Sequence, residues 1–280
     1  MNKEFNYSFI IPHKNCPDLL QRCVDSIPER DDVQVIVVDD NSDEGKKPSM
    51  KERKNLQVIL LDATQSKGAG RARNVGLKHA EGKWLLFADS DDFYTDGFID
   101  ILDKYTDMDL DIVYFDAYNS PDGGSTLKYV DKTGCSINEV KYKHRQPWNK
   151  LFNHSFIKQY DLTFEEVICG NDMRFVILAG LKAHKIALEH TALYIYAYNP
   201  ESITNKKHSI ENRFCAFLHN VQRNAFFNEI GVKGLNVNYF AFFKTILLQD
   251  GFPFFIRLFA TIIYKANVIM NRRLDFVRLK

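Results

Sequence analysis

The sequence has few of the features that mark a disulfide-bonded, zinc-binding or membrane-spanning protein. Its five cysteines form no CxxC pair and no Cys/His cluster with zinc spacing. Their odd number and wide scatter indicate reduced thiols in a cytosolic protein. The polar start Met1-Asn2-Lys3-Glu4-Phe5 lacks the basic and apolar run of a signal peptide. No uncharged apolar run reaches the roughly 18 residues that a transmembrane helix needs, so no such helix is expected.

The sequence also lacks a strong net charge. Lys and Arg number 37 against 36 Asp and Glu, a formal net charge of +1. Without a global positive field, nucleic acid is not an expected partner, and any charge that matters must act locally. The 280 residues are 45% hydrophobic, which is enough for one sizeable core with an appendage or for two small domains.

What the sequence does have is an alternation of strand and helix patterns in its first half. Short β-branched runs alternate with segments whose apolar residues recur at helical spacing. Strands that are separated by helices imply crossover connections, and therefore an α/β fold with a mostly parallel sheet. The predicted strands are Tyr7–Ile11, Val33–Val38, Gln57–Leu61 and Trp84–Ala88, and the predicted helices are Leu19–Ile27, Gly70–His79 and Phe98–Tyr105.

The second half is more mixed. We predict strands at Asp111–Ala117, Lys185–Leu188 and Ala192–Tyr198, a strand or meander at Tyr129–Ile137, and helices at Trp148–Gln159 and Asn171–Ala183. After Thr204 the pattern is helical and rich in aromatic residues to the end of the sequence. The sequence therefore predicts a C-terminal helical appendage behind an α/β domain.

Three polar segments each follow a predicted strand. They are Pro12-His13-Lys14-Asn15, Asp39-Asp40 and Asp89-Ser90-Asp91-Asp92. In open α/β sheets, ligands bind beyond the carboxyl ends of the strands. The three segments are therefore expected to meet at one edge of the sheet and to form a site.

The acidic cluster Asp89-Ser90-Asp91-Asp92 has two interpretations. Its carboxylates repel one another unless cations or donors compensate, and oxygen ligands suit Mg²⁺ or Mn²⁺ that share coordination with phosphates. In an extended segment Asp89 and Asp91 point the same way and could address one ion. The alternative is a turn with a helix N-cap, where acidic residues are favoured. The position behind a buried strand favours the metal site.

Two further segments carry weaker signals. Asp39-Asp40-Asn41-Ser42 offers carboxylates for a base N–H or a ribose hydroxyl, but is also an ordinary turn sequence. The segment from Lys67 to Asn74 combines glycines, which allow close approach of the backbone, with guanidinium groups that pair with diphosphate. Its alternative is a loop and a solvated helix turn. It is not a P-loop, since the Gly-Lys-Ser/Thr ending is missing.

Taken in order, these strings resemble a known family. SFIIPHKN, VIVVDDNSDE and GAGRARNVGLKHAEGKWLLFADSDD are similar in order and spacing to the inverting family 2 glycosyltransferases of the GT-A fold. The later strings PWNKLFNHSFI, LTFEE, GNDMRFVILAG and YIYAYNPESIT are also similar to that family. The resemblance covers roughly residues 6 to 204. It implies a GT-A domain over 1–204, with a nucleotide-sugar-binding half to about 110 and an acceptor-side half from about 111, and a helical region over 205–280.

The resemblance also implies roles for individual residues. One of Asp39 and Asp40 would bind the base, Asp91 would be the principal metal ligand, and Asp172 would be the catalytic base. Relatives often have Glu-Asp where this sequence has Asn171-Asp172, so Asn171 is a departure from the pattern. The metal ligands would be Asp91 and Asp89, and the acceptor-side residues Trp148, Lys150 and Asn171, with Tyr198 and Ser202 in a late motif nearby. The nucleotide-sugar-binding residues would be Pro12, His13, Asn15, Asp39, Asp40, Lys67, Gly68, Arg71, Arg73, Asn74, Asp89 and Ser90.

The implied reaction moves a sugar from a UDP-sugar to a glycan or lipid-linked acceptor, with Mn²⁺ or Mg²⁺ as cofactor. A setting in bacterial surface polysaccharide synthesis follows only by analogy with the family. Asp172 could instead be a helix N-cap or first-turn acid. Two other functions stay open: a sugar-phosphate nucleotidyltransferase, although no Gly-rich phosphate loop follows the first strand, and a nucleotide-sugar-binding protein without catalysis, for which Asn171 is the local hint.

The C-terminal region combines apolar and basic residues at helical spacing. From residue 251 to 280 six basic residues face one acidic residue, a net charge of +5. Such a helix could pack its apolar face on the catalytic domain or on a second subunit, or lie on an anionic membrane. The expected location is the cytoplasm, with peripheral contact at the inner face of the membrane as the second interpretation.

Overall fold

The computed structural model describes residues 4–66, 68–123, 125–167, 170–200, 202, 209–232 and 236–278. The chain divides into two compact units, Met1–Asn199 and Pro200–Lys280. We call them the sheet unit and the helical unit.

The sheet unit is built on one mixed sheet. Within the described residues its strands run in the order β3-β2-β1-β4-β8-β6-β9-β5, and β7 pairs with β6. The neighbours β3, β2, β1 and β4 are all parallel, whereas β8 is antiparallel to both β4 and β6. The strands are β1 Tyr7–His13, β2 Val33–Asp39, β3 Leu56–Leu60, β4 Trp84–Phe87, β5 Phe93–Tyr94, β6 Ile112–Ser120, β7 Lys128–Val130, β8 Lys150–Asn153 and β9 Ile186–Ala197.

Helices lie on both faces of this sheet. Alternate strand residues point to opposite faces, so Phe9 and Val35 belong to one core cluster while Ile10 and Ile36 belong to the other. Burial on both faces explains why β1 and β2 read as nearly continuous apolar runs. The helices are α1 Pro17–Asp25, α2 Ala69–His79, α3 Phe98–Asp103, α4 Ile137–Lys143, α5 His154–Gln159 and α6 Met173–Lys182, with a 3-10 turn at Glu44–Lys46.

The α/β class with a mostly parallel sheet and a C-terminal helical appendage is confirmed. Each predicted element of the first half matches a strand or helix whose bounds differ by two residues at most. These segments are strongly patterned, and their local preference agrees with their place in the fold.

The helix predicted over Trp148–Gln159 is wrong in its first part. Residues Lys150–Asn153 form strand β8, and the helix begins only at His154. The apolar spacing of Trp148, Phe152 and Phe156 imitates a helical stripe. Asn149 instead adopts a left-handed conformation, with φ of 54°, and pairing with β4 and β6 overrides the local pattern.

Two other predictions are corrected. The late strands form one strand, β9, whose register against β6 shifts around Asp116. This irregularity accommodates the polar stretch after Leu188 that suggested a break. In the segment Tyr129–Ile137 the strand ends at Val130, and Ile137 already begins α4.

The described part of the helical unit consists of three helices, α7 Ile210–Glu229, α8 Tyr239–Asp250 and α9 Phe252–Arg278. Phe214, Ile246 and Leu258 form its small buried core. Among the described residues, no helix combines the length and apolar character needed to cross a membrane.

Candidate active site

The carboxyl ends of β1 and β2 are fastened together by buried polar side chains. His13 and Asp39 are neighbours in parallel register, and the His13 Nδ1 lies 2.7 Å from the Asp39 Oδ1. The His13 Nε2 accepts the Cys16 amide N–H at 3.2 Å, so the ring proton sits on Nδ1 and is donated to Asp39. Pro12 is buried in the same register opposite Val38. His13 and Asp39 therefore hold the shape of this edge.

Asp39, the last residue of β2, and Asp40, which follows it, differ in their surroundings. Asp39 accepts hydrogen bonds from the Ser42 hydroxyl at 2.5 Å and the Ser42 amide at 2.9 Å, besides His13. Asp40 accepts the Gly68 amide at 3.1 Å and so links β2 to the start of α2. Asn15 exchanges hydrogen bonds with Asp43, which fixes the loop after β1 to the loop after β2. Asp39 organises the turn, and Asp40 faces the glycine segment.

The glycine segment Gly68–Gly70 allows α2 to begin close to two other loops. Gly68 has a φ of 87°, a conformation that residues with a Cβ rarely adopt. A Cβ on Gly70 would lie 2.1 Å from the Glu165 carbonyl oxygen and 2.9 Å from the Asn171 Cβ. Only a glycine at position 70 lets α2 approach the segment that precedes Asp172.

Arg73 links Asp89 and Asn171, which the resemblance assigns to the donor and the acceptor side. Its Nη2 donates to the Asp89 Oδ1 at 2.5 Å, and its Nη1 donates to the Asn171 Oδ1 at 2.8 Å. The guanidinium lies 5.4 Å from the centroid of the Phe164 ring, and the residue is 4% exposed. Asp89 and Asn171 are therefore bridged by one buried cation, although 82 positions separate them in the sequence.

The other predicted residues of this segment point elsewhere. Asn74 exchanges two hydrogen bonds with the backbone of Phe164, and Arg71 pairs with Glu166 at 3.1 Å. Arg71 and Asn74 line a cleft of about 530 Å³ that Lys78 and His154 also line. The geometry groups neither side chain with Asp89. Lys67 lies outside the described residues.

Within the acidic cluster, Asp92 is a structural carboxylate. It is fully buried and accepts the Tyr194 hydroxyl and the Ala197 amide, each at 2.8 Å. The Tyr194 hydroxyl also accepts the Asp89 amide N–H at 2.8 Å. Burial, followed by the charges of Asp89 and Asp91, raises the pKa of Asp92 well above its ordinary value. Asp92 ties the cluster to the end of β9.

Asp91 and Asp89 are the residues that the resemblance predicts as metal ligands, and both offer carboxylate oxygens of the kind that a divalent ion takes. Burial, and then the neighbouring charge of Asp89, raises the pKa of Asp91. The Asn199 Nδ2 donates to its Oδ2 at 3.0 Å, and Arg22 donates to its backbone carbonyl at 2.6 Å. Two neighbouring carboxylates that repel each other in a partly buried place fit a hard cation, which would relieve that repulsion.

Ser90 is turned away from this pair. It is 8% exposed, and its Oγ lies 3.2 Å from the Cys16 Sγ. Burial raises the pKa of the Cys16 thiol, as expected of a packed cysteine rather than a reactive one. Ser90 therefore joins the cluster to the loop after β1.

The segment Asn171–Asp172 lies at the start of α6. Within the described structure, Asp172 occupies the N-cap position of that helix without making a capping hydrogen bond through its side chain. Asn171 is 8% exposed and accepts from Arg73. Where the resemblance predicts a Glu, this chain has Asn171, whose neutral side chain accepts a hydrogen bond from the Arg73 guanidinium.

Lys150 and Trp148, which the resemblance predicts on the acceptor side, are both buried. The Lys150 ammonium donates to the Gln146 carbonyl at 2.6 Å, and burial lowers its pKa well below the ordinary value, partly opposed by the charge of Asp172. Trp148 stacks on Tyr194 with ring centroids 5.0 Å apart and is 6% exposed. Both side chains therefore make packing and hydrogen-bond contacts inside the sheet unit.

A second group of possible metal ligands occurs at β6 and β9. Oxygen and nitrogen atoms of Asp116, Asp131 and His190 lie within 4.8 Å of one another. Asp116, however, already accepts from the Thr133 amide and hydroxyl at 2.8 and 3.0 Å, and from the Tyr129 hydroxyl. These donors indicate a structural carboxylate and occupy lone pairs of Asp116 that a cation would need.

Sequence reasoning missed Arg22, Tyr194 and Asn199. Arg22 lies on α1, and its guanidinium lies 4.5 Å from the centroid of the Phe93 ring. Asn199 follows Tyr198 in the late motif that the sequence had indicated. Tyr194 carries no local signal, since its role depends on contacts with residues more than 100 positions away.

Comparison with known proteins identifies the family. The family model described as glycosyl transferase family 2 matches residues 8–168. The poly(ribitol-phosphate) β-N-acetylglucosaminyltransferase TarS of Staphylococcus aureus is 28% identical over 217 residues, which are 70% of this chain and 36% of TarS. The chain thus spans about a third of the length of that relative.

Two solved structures share the fold. The crystal structure of S. aureus TarS 1–349 in complex with UDP-GlcNAc matches with a TM-score of 0.60 and 21% identity, over 78% of this chain and 67% of that chain. The mannosyltransferase PcManGT from Pyrobaculum calidifontis, in complex with GDP-Man and Mn²⁺, matches with a TM-score of 0.54 and 16% identity, over 98% and 81%. The expected GT-A fold is confirmed, and the chain belongs to glycosyl transferase family 2.

Proposed function

We propose that this protein is a metal-dependent inverting glycosyltransferase that moves a sugar from a UDP-sugar to a hydroxyl group of a glycan or lipid-linked acceptor. The observation that carries the proposal is the Arg73 bridge. The Arg73 guanidinium donates hydrogen bonds to Asp89, an expected metal ligand, and to Asn171. Asn171 directly precedes Asp172, the expected base. Donor and acceptor groups would therefore meet at one site.

On the donor side, we assign contact with the nucleobase to Asp40. Asp39 already accepts hydrogen bonds from His13 and from two groups of Ser42, which leaves it little capacity for a ligand. Asp40 directly follows the same strand, where it accepts the Gly68 amide of the glycine segment and lies 3.9 Å from the Lys14 ammonium. The TarS complex with UDP-GlcNAc favours uracil as the base.

Asp91 and Asp89 would hold Mn²⁺ or Mg²⁺. The metal would supply positive charge to the diphosphate of the donor, which is the leaving group. The mannosyltransferase complex with Mn²⁺ supports a divalent ion in a protein of this fold. Asn199 donates a hydrogen bond to the Asp91 side chain and Arg22 donates one to the Asp91 backbone carbonyl, and both contacts hold Asp91 in place.

Asp172 would act on the acceptor. Its carboxylate takes the proton of the acceptor hydroxyl while that oxygen forms a bond to the anomeric carbon. The bond from the anomeric carbon to the diphosphate oxygen breaks, and its electron pair leaves with UDP. A single displacement inverts the anomeric configuration and needs no covalent intermediate on the protein.

The acceptor-side half carries a local excess of positive charge. From residue 128 to 145 five basic residues stand against two acidic ones, although the sheet unit as a whole has a net charge of −6. This distribution favours an acceptor that carries phosphate. The poly(ribitol phosphate) named as the acceptor polymer of TarS has that chemistry. Transfer to such a polymer should exceed transfer to its dephosphorylated repeat unit, and equal transfer to both would contradict this assignment.

A thermal-shift screen tests the proposed donor. UDP-glucose or UDP-N-acetylglucosamine with Mn²⁺ should raise the melting temperature of the wild-type protein, and the shift should shrink with a metal chelator. GDP-mannose is the matched control, and a shift with GDP-mannose alone would overturn the choice of UDP. The absence of a shift with every nucleotide sugar would overturn the proposed function.

A further inference from the structure

The helical unit leaves much of its apolar surface uncovered. Its core is small, with Ile246 and Leu258 fully buried and Phe214 nearly so. On the outer side of α8, Phe240 and Leu248 are 78% and 74% exposed. Soluble monomers rarely expose large contiguous apolar areas unless these bind something.

The exposed apolar residues of α9 form a stripe. Phe252, Ile256, Phe259 and Ile263 are between 46% and 63% exposed. Their spacings of four, three and four residues place them on one face of the helix. We call these four residues the apolar stripe. Leu258, on another face of α9, is fully buried in the core of the unit. Of the stripe residues, Phe259 also contacts Phe243 of α8, with ring centroids 6.3 Å apart.

Exposed basic residues occur on the same helix as the stripe and on α8. Arg257 and Lys265 are exposed on α9, and Lys244 is exposed on α8. The region Pro200–Lys280 contains 12 Lys and Arg against 5 Asp and Glu, a net charge of +7. A helix with an apolar face and a cationic polar face suits the boundary between the headgroups and the acyl chains of an anionic bilayer.

We propose that the apolar stripe of α9 inserts into the surface of a membrane that contains anionic lipid. The charge of the unit favours this occupant over a second copy of the chain. Two copies that met through the stripe would bring two units of +7 together, and such like-charge contact is unfavourable. A lipid surface covers the stripe, and its anionic headgroups attract the basic unit.

Flotation of the full-length protein with lipid vesicles tests the proposal. The protein should float with vesicles of phosphatidylcholine that contain about one third phosphatidylglycerol, and much less with phosphatidylcholine alone. Ile256→Glu should lower the partition coefficient at least about tenfold, since it places a carboxylate at the apolar boundary. Arg257→Gln should lower it about fivefold, and added salt should weaken wild-type binding.

Met108→Glu is the matched control, because Met108 is 47% exposed in the sheet unit and undergoes the same kind of change. It should float like wild type. Circular dichroism should show the same helix content in all variants, since each substitution is at an exposed position. Equal flotation of wild type and Ile256→Glu, or equal binding to neutral and anionic vesicles, would overturn the proposal. Sedimentation of wild type as a dimer that Ile256→Glu dissociates would assign the stripe to self-association instead.

Discussion

The two units of this chain use their polar and apolar residues in opposite ways. In the sheet unit, buried polar side chains such as His13, Asp39, Arg73 and Asp92 are linked by hydrogen bonds at one edge of a well-packed sheet. The helical unit instead buries few residues and exposes large apolar side chains. The comparison assigns the chemistry to the first unit and contact with another surface to the second.

Charge makes the same division. The net charge of the chain is +1, but the net charge of the sheet unit is −6 and that of the helical unit is +7. The acidic unit contains the carboxylates that suit a metal ion, and the basic unit suits an anionic surface. A balanced composition can therefore conceal two regions with different partners.

The largest expected effect concerns the chemistry of the sheet unit. Asp172→Asn should lower the rate of sugar transfer by about 10²–10⁴, because the acceptor hydroxyl loses its general base. The affinity for the UDP-sugar should stay unchanged, as measured by calorimetry. Asp161→Asn is the matched control at an exposed aspartate and should keep full activity. A loss of donor affinity in Asp172→Asn would contradict the assignment of the base.

A core substitution in the helical unit tests whether the two units are separable. Ile246→Ala should destabilise that unit by about 2–5 kcal/mol, because it leaves a cavity at a fully buried position. Calorimetric unfolding should show the loss, while UDP-sugar affinity stays at the wild-type value. Ile256→Ala, at an exposed position of the same unit, should change its stability far less. Loss of donor binding in Ile246→Ala would contradict the view that the sheet unit binds the donor independently of the helical unit.

A smaller effect is expected of pH on the free energy of unfolding. Burial, and then the charges of Lys150 and Lys132, lowers the pKa of His144 from 6.5 to about 3. The unfolded chain therefore binds more protons than the folded chain between these values, so stability is complete above pH 6.5 and falls on acidification. Between pH 6.5 and 5 the loss from this residue should reach up to about 1.4 kcal/mol per pH unit.

Denaturant unfolding at several pH values measures that slope. His144→Gln should flatten it, because the residue that titrates is gone. His184→Gln changes an exposed histidine and should leave the slope as in wild type. If His144→Gln keeps the full slope, another group of the sheet unit is responsible.

How far the sequence predicted the fold depended on how local the signals were. Val33–Val38 reads as a buried strand by itself, and the structure confirms it as part of β2. Strand β8 was predicted as a helix, because its apolar spacing is ambiguous and its pairing with β4 and β6 involves residues far along the chain. The bulge in β9 was read as a gap between two strands for the same reason.

The candidate site shows the same limit. The sequence placed Asp89, Asp91 and Asp92 at one strand end, and the structure does so too. The sequence could not predict that the three carboxylates have different partners. Asp92 accepts hydrogen bonds from Tyr194 and Ala197 of β9, whereas Asp89 accepts one from Arg73 of α2. Likewise, the different surroundings of Asp39 and Asp40 depend on His13 and Gly68, which belong to other segments.

The most direct test of the account is a calorimetric titration of UDP-sugar and Mn²⁺ into wild type and Asp91→Ala. Wild type should bind the donor tightly only with the metal, and Asp91→Ala should lose this metal dependence, because its principal ligand is gone. Asp96→Ala, which removes an exposed acid nearby, should behave as wild type. Metal-dependent donor binding that is unchanged in Asp91→Ala would contradict the account.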